Sequence, residues 1–259
     1  MAGAQTVSRA FQLLRLVARR GCSGIQLVEA AGVMGLPHPT THRLLKALIA
    51  EGAVLQNAAT RRYHLGPASF ELGLSSQYSS RIIDQCRPVL ERLADATEDT
   101  IYLIMRSGFD AICLDRLEAR TSVRAVTLDV GEWHPLGVGA AGAALLAALP
   151  DQEFEACIRH NAREFRLFRN LTENEVRASA RAARQDGFGF NSENFTVGTS
   201  GIGIAIPASD GIPYLGISIA AVTDRISART ETLKRLLKTE ALQIAQALSV
   251  RERYPARHA

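Results

Sequence analysis

Apolar positions recur along this chain with two periods, and the change from one to the other near Thr100 separates a helical N-terminal stretch from a mixed remainder. In the first stretch Val7, Phe11, Leu14 and Val17 keep helical spacing, with Thr6 or Ser8 as the cap and Arg19-Arg20-Gly21 as the stop. Gly21 to Gly24 predicts a turn, and Ile25 to Ala31 a short second helix with Leu27, Ala30 and Ala31 inward. Gly32 to Gly35 predicts another turn. Leu36-Pro37 then halts the segment, because a proline disfavours a helical residue before it, while Pro39 suits the first turn of a new helix. Within Leu36 to Gly52, residues Thr41, Leu44, Leu45 and Leu48 recur at i, i+3, i+4 and i+7 and form one stripe to be buried. His38, His42, Arg43 and Lys46 fall mostly on the other side. Ala53 to Gln56 and Arg62 to Leu65 read as two short strands around the polar tip Asn57 to Arg61. Helix, short helix, turn, helix and hairpin together predict a winged helix-turn-helix over residues 1–66.

Residues 67–81 continue as a linker helix through Phe70, Leu72 and Leu74, and Arg87 to Leu93 opens another helix that closes near Thr97. Beyond Thr100 the alternation of Ile101, Leu103 and Met105, the Gly108 turn and the return from Ala111 to Arg116 predict a hairpin. Val123 to Leu128 is a third strand candidate. Helices follow at Gln152 to His160 and Glu173 to Gln185, the second entered through a Thr172 cap with Glu175 at capping-box spacing. Strands near Phe188 to Glu193, Gly201 to Pro207 and Tyr214 to Ala221 precede a long final helix from Ser227 to Val250. The fold class is α+β, with an antiparallel sheet flanked by helices over residues 82–259.

Charge sharpens this division. The chain of 259 residues carries a net charge of +4, with 47% hydrophobic and 22% charged residues, as an ordinary globular protein does. Residues 1–80 hold eight Arg and Lys against three acids, a local +5, whereas the remainder holds 22 against 23. The whole excess sits at the N-terminal end, as an electrostatic footprint for nucleic acid requires. An amphipathic helix with basic residues is, alone, most often a solvated surface helix. Here no acid interrupts the exposed face before Glu51, so short hydroxyls and imidazoles can reach base edges beside cations that can meet phosphates. His38, Thr40, Thr41, His42, Arg43 and Lys46 are the candidate contacts in the recognition helix, with Arg61 and Arg62 at the wing.

Three motifs in order, TVSRAFQLLRLVA, LPHPTTHRLLKALIAEGAV and RRYHLGPASFELG, resemble the winged helix-turn-helix of IclR-type transcriptional regulators, whose pattern runs roughly LPKSTVHRLL, then L, G(Y/F/L)V, YRLG and LELG. Thr40, His42 and Arg43 match position by position, and His38 and Pro39 depart from it. RPVLERLA is similar to the opening of the family's C-terminal regulatory domain, a PAS- or GAF-like fold that binds a small effector. Trp133 to Gly142 occupies the position of the family's PLHATALGKA loop, with Gly137 and Ala143 in place of its His and Lys. The glycines of that loop leave backbone N–H groups open to an anion at the start of the next helix. The resemblance implies an effector pocket at Trp133, Gly137, Gly139, Ala140, Ala141, Asn191 (or Glu193 if the alignment slips), Thr199, Gly201 and Ser218. Ala220 stands where a second Ser is common. The implied ligand is a small organic or aromatic acid, and the implied assembly a homodimer or dimer of dimers on a double-stranded DNA operator.

Competing classes find less support. Cys113 or Cys157 with His134 or His160 could form a nucleophile and base, but no local signature surrounds them, and there is no GxSxG, P-loop or HExxH. No catalytic residue and no cofactor is assigned. His38 and His42 at i and i+4 lack a third metal ligand nearby, and Gly198, Gly201 and Gly203 read as a bulged strand entry rather than a dinucleotide loop. An effector-independent DNA-binding protein would not need so large a second domain. The four cysteines are scattered without a CxxC pair, which fits a reducing cytoplasm, and no apolar run reaches the length of a membrane span.

Overall fold

The computed structural model describes residues 2–75, 77–118, 128–169, 171–208 and 211–249. The chain divides into two compact units, Met1–Ser80 and Arg81–Ala259.

In the first unit α1 (Ala2–Arg19), α2 (Leu27–Met34) and α3 (His38–Ala50) precede a two-stranded hairpin of β1 (Val54–Gln56) and β2 (Tyr63–Leu65), followed by α4 (Pro67–Ser75). Leu13, Leu16, Val17, Ile25, Ala30, Leu44, Leu45, Val54 and Tyr63 form the core. This corrects the stripe expected of α1. The helix starts at Ala2 rather than at a Thr6 or Ser8 cap, and Val7 and Phe11 are more than half exposed while Leu13 and Leu16 are buried. Both sides of this helix are apolar, so its period alone admits two faces, and the surface offered by α3 and β2 selects one. The second helix also runs three residues further than expected, to Met34, and ends where Gly35 takes the left-handed conformation.

The second unit opens within α5 (Gln77–Thr97), which starts ten residues earlier than expected and carries Pro88 inside it. Among the described residues six strands make one antiparallel sheet in the order β5-β4-β3-β8-β7-β6: β3 (Thr100–Ser107), β4 (Asp110–Leu117), β5 (Trp133–Pro135), β6 (Gly189–Ser192), β7 (Thr199–Ala205) and β8 (Leu215–Val222). The strand expected at Val123 to Leu128 lies, but for Leu128, outside the described residues. β5 was not expected as a strand. It pairs with β4 through Ala111 opposite His134, and three residues are too short to display an alternation. The remaining helices are α6 (Ala140–Ala147), α7 (Asp151–Asn161), α8 (Glu173–Asp186), α9 (Thr223–Ser227) and α10 (Thr230–Ser249). The single final helix expected from Ser227 is therefore two helices, broken at Ala228 and Arg229. Thr172 and Glu175 form the reciprocal capping box at the start of α8.

Strand alternation sorts the sheet into two buried faces. Ile101, Leu103, Ile202, Ile217 and Ile219 point one way, and α9 and α10 cross β7 and β8. Tyr102, Ile104, Ala111, Cys113 and Ala220 point the other way, into a core shared with α6, α7 and α8. Every residue of α6 is buried, so this helix, made only of Ala, Gly and Leu, has no solvent face. It lies unusually close to β6 and β7. A Cβ on Gly189 would stand 2.1 Å from the Ala140 carbonyl oxygen, and one on Gly203 would stand 2.7 Å from the Ala141 nitrogen. Glycine in both strands is what lets helix backbone approach strand backbone.

Gly203→Ala should therefore push α6 off the sheet and lower unfolding free energy by about 1–3 kcal/mol in urea titration. Gly73→Ala, on α4 with no atom within 4 Å of the added carbon, should leave stability unchanged or raise it by up to about 1 kcal/mol.

Candidate functional site

Two places gather the chemistry: the outer face of α3 with the wing, and a cleft at the start of α6.

On α3 the stripe Thr41, Leu44 and Leu45 is buried, so His38, His42, Arg43 and Lys46 are left exposed and Thr40 half-buried. Among the described residues no carboxylate pairs with Arg43 or Lys46. Thr41 does not belong with them. It is wholly buried, and its hydroxyl donates to the Pro37 carbonyl (3.3 Å), so it holds the helix start against the core and cannot reach a base edge. At the wing Asn57 Oδ1 accepts from the N–H of Ala59 and of Thr60 (3.0 Å each), and Gln56 Nε2 donates to the Arg61 carbonyl (3.1 Å). This ordered tip presents Arg61 in the left-handed region with its side chain exposed. Arg62 differs from the expectation of a free phosphate contact. Its guanidinium donates to the carbonyls of Ser23 and Gly24 (3.3 and 3.0 Å), tying the wing to the turn after α1.

The cleft lies between the Tyr102 face of the sheet, β5 and α6. It brings together Gly139, Ala140, Ala141, Asn191, Gly201 and Ser218 of the expected pocket residues. Trp133, Gly137, Glu193 and Thr199 lie outside its lining. On β5 alternate residues face opposite ways, so His134 lines the cleft and Trp133 turns from it. Gly137 meets the back of α6, where a Cβ would press on Leu146 and Val176 within 2.8 Å. Glu193 accepts from the Thr223 hydroxyl (3.2 Å) and pairs with Arg169 (3.4 Å). Thr199 opens β7, two residues before Gly201, and is not among the lining residues.

Residues not anticipated complete the cleft: Tyr102, Ile104, Leu128, His134 and Phe195. Alternation along β3 could have nominated Tyr102 and Ile104; nothing local nominates Phe195, which crosses from the segment after β6. Its ring edge lies 3.0 Å from where a Cβ on Gly139 would be, and it meets His134 and Phe168 edge to face, at 5.6 and 5.4 Å between centroids. Gly139 has φ +74, a conformation that side chains resist, and places no capping side chain on α6. The first helical hydrogen bond runs from Ala143 N to Gly139 O (2.9 Å), so the N–H groups of Ala140, Ala141 and Gly142 have no acceptor within the helix. This N-terminus faces the cleft with its partial positive charge. Among the described residues no lysine, arginine, aspartate or glutamate lines it.

His134 is 3% exposed and its Nδ1 has no hydrogen-bond partner. Burial alone pushes its imidazole down from 6.5 to about 4, so it is neutral at physiological pH. The thiols of Cys113 and Cys157 are pushed up to about 12, chiefly by burial. Cys157 also contacts the Phe109 and Leu136 carbonyls, so neither sulfur is a nucleophile at neutral pH. Among the described residues no three His, Cys, Asp or Glu side chains gather as for a metal ion, and no helix is long and apolar enough to cross a membrane.

The depressed His134 value makes stability depend on pH. Unfolded, this imidazole takes a proton near pH 6.5, and folded only near pH 4, so between those values the unfolded chain binds more protons. Its contribution is full above about pH 6.5 and is lost as the pH falls, to a total of about 3 kcal/mol by pH 4. His134→Phe should flatten that part of the profile when urea unfolding is followed from pH 7 to pH 4.5.

The sequence matches the family model described as IclR helix-turn-helix domain over residues 6–58 and that of the Bacterial transcriptional regulator IclR C-terminal over residues 76–249. The HTH-type transcriptional repressor AllR of Salmonella typhimurium is 27% identical over 251 residues, covering 96% of this chain and 92% of that protein. The HTH-type transcriptional regulator KipR of Bacillus subtilis is 28% identical over 246 residues, covering 94% and 97%. Among solved structures, an IclR family transcriptional regulator from Brucella abortus superposes with a TM-score of 0.75 at 20% identity, covering 94% of this chain and 92% of its own. An IclR homologue from Microbacterium hydrocarbonoxydans complexed with 4-hydroxybenzoate has a TM-score of 0.67 at 17% identity, covering 95% and 100%. With both of its units matched by the two halves of one family, the chain belongs to the IclR family of DNA-binding transcriptional regulators.

Proposed function

We propose that this protein is a repressor that binds a palindromic operator as a dimer or dimer of dimers and is controlled by a small organic acid held in the cleft at the start of α6. Residues 1–66 read the DNA, 67–81 connect, and 82–259 bind the effector and a second subunit. Arg43 and His42 enter the major groove from the outer face of α3, with His38 and Thr40 beside them. Lys46 and Arg61 meet phosphates, and Arg62 steadies the wing that carries Arg61. The observation that carries the DNA-binding half is an unopposed basic face on a helix whose other face is core.

For the effector, support comes from a helix N-terminus with three free N–H groups at the mouth of an otherwise uncharged, aromatic-walled cleft. A carboxylate would accept from Ala140, Ala141 and Gly142, with its organic body toward Phe195 and Tyr102. The complex of the Microbacterium hydrocarbonoxydans relative with 4-hydroxybenzoate supports an aromatic acid. Binding would shift the population of subunit arrangements and so the spacing of the two reading heads.

Thermal shift with benzoate, 4-hydroxybenzoate and short aliphatic carboxylates, joined to a gel shift on the promoter beside the gene, tests this; indifference of the protein to every acid would remove the effector reading. Arg43→Ala should weaken specific operator binding about 10- to 100-fold and leave ligand-induced thermal shifts intact. Thr41→Val should keep operator affinity and cost only about 1 kcal/mol of stability, because its hydroxyl serves the Pro37 carbonyl.

A further inference from the structure

The cleft has an electrostatic gap. A buried anion is tolerated when it is paired or well hydrogen-bonded, yet among the described residues no cationic side chain lines this site. One group there can change its charge. His134 lies on β5 beneath α6, and its Nε2 is 3.7 Å from where a Cβ on Gly142 would stand, beside one of the three free N–H groups. Its Nδ1 is sealed without a partner. The imidazole and the positive end of α6 therefore face the same space, and neither has a counter-charge.

Resting on the reading of this cleft as the effector site, we propose that His134 is a ligand-binding residue that takes up a proton as a carboxylic acid docks, so that the bound pair is carboxylate and imidazolium. With the cleft empty, desolvation and the adjacent helix end both oppose an imidazolium, and the ring is neutral. A carboxylate on the helix N-terminus reverses the second effect and partners the new charge. The proton comes from solvent and resides on the imidazole, and no covalent bond changes.

The surroundings leave His134 as the group that titrates. Among the described residues Tyr102, from β3, is the other ionisable side chain in the lining. Cys113, on the same face of β4 as the Ala111 opposite His134, is held as a thiol by burial, and the neighbouring Asp110 is buried with its own interactions. Glu193, from the segment that carries Phe195, is engaged by Thr223 and Arg169. α6 contributes no ionisable group.

The test is calorimetric titration of the full-length protein with benzoate at pH 6.5, in phosphate and in imidazole buffer, whose ionisation heats differ. Close to one proton should be taken up per site, and affinity should rise up to tenfold from pH 7 to pH 6. Benzamide, the uncharged isostere, should bind without proton uptake. His134→Phe and His134→Gln, checked for folding by circular dichroism, should lose the uptake and the pH dependence. Benzoate binding without proton uptake overturns the inference and leaves the effector site standing. Uptake that persists in the variants puts the proton on the ligand and also overturns it. Failure of benzoate, 4-hydroxybenzoate and short aliphatic acids alike to bind removes the effector reading and the inference together. Where neither variant folds, the ring nitrogen-15 shifts of His134 in the benzoate-bound protein decide the matter: imidazolium shifts support the inference and neutral-ring shifts overturn it.

Discussion

The close approach of α6 to β6 and β7 is the constraint from which the second unit takes its form. Helix backbone comes so near Gly189 and Gly203 that an ordinary side chain on either strand would strike it. A helix pressed that closely cannot carry bulk toward the sheet, and α8 covers another side, so its eight residues are Ala, Gly and Leu, all buried. The same approach brings the helix N-terminus, free of a side-chain cap, to the edge of the Tyr102 face. An end that would ordinarily be capped or wet is instead presented to a cleft, and the positive end of a helix there is a standing invitation to an anion.

The two units distribute charge in opposite ways. In the first, cations are displayed: the core takes Leu44, Leu45 and Thr41, and Arg43, Lys46 and His42 are left on the surface without carboxylates among the described residues. In the second, the charged side chains among the described residues stay out of the cleft and pair elsewhere. Asp99 is held by Arg225 and Arg229, Arg87 donates to Asp115, and Arg184 pairs with Asp151 while donating to the Ala147 and Leu149 carbonyls. These pairs fasten helices to the sheet and to one another, and they leave the cleft with backbone dipoles, one neutral imidazole and aromatic walls.

The corrections concern which surface a residue meets. The pattern of α3 already placed Thr41 in the buried stripe, and its hydroxyl serves the Pro37 carbonyl. Arg62 is committed to the carbonyls of Ser23 and Gly24, 39 and 38 residues away in the chain, a contact no local spacing could announce. Trp133 was the conspicuous residue of its loop, yet its less conspicuous neighbour His134 faces the cleft, because β5 had not been recognised as a strand and the alternation could not be applied.

What the sequence by itself determined is the order of most of the elements, the basic reading head and the family. Helical and strand periods, caps, glycine stops and charge segregation are local quantities, and the three motifs in order are specific. The tertiary structure alone decided which side of α1 is core, that Phe195 and Tyr102 share a cleft with Ser218, and that an imidazole lies sealed beneath a helix end. These depend on contacts between residues distant in the chain, where the free energy of burial is settled by the surface that arrives from elsewhere and not by the neighbours in sequence.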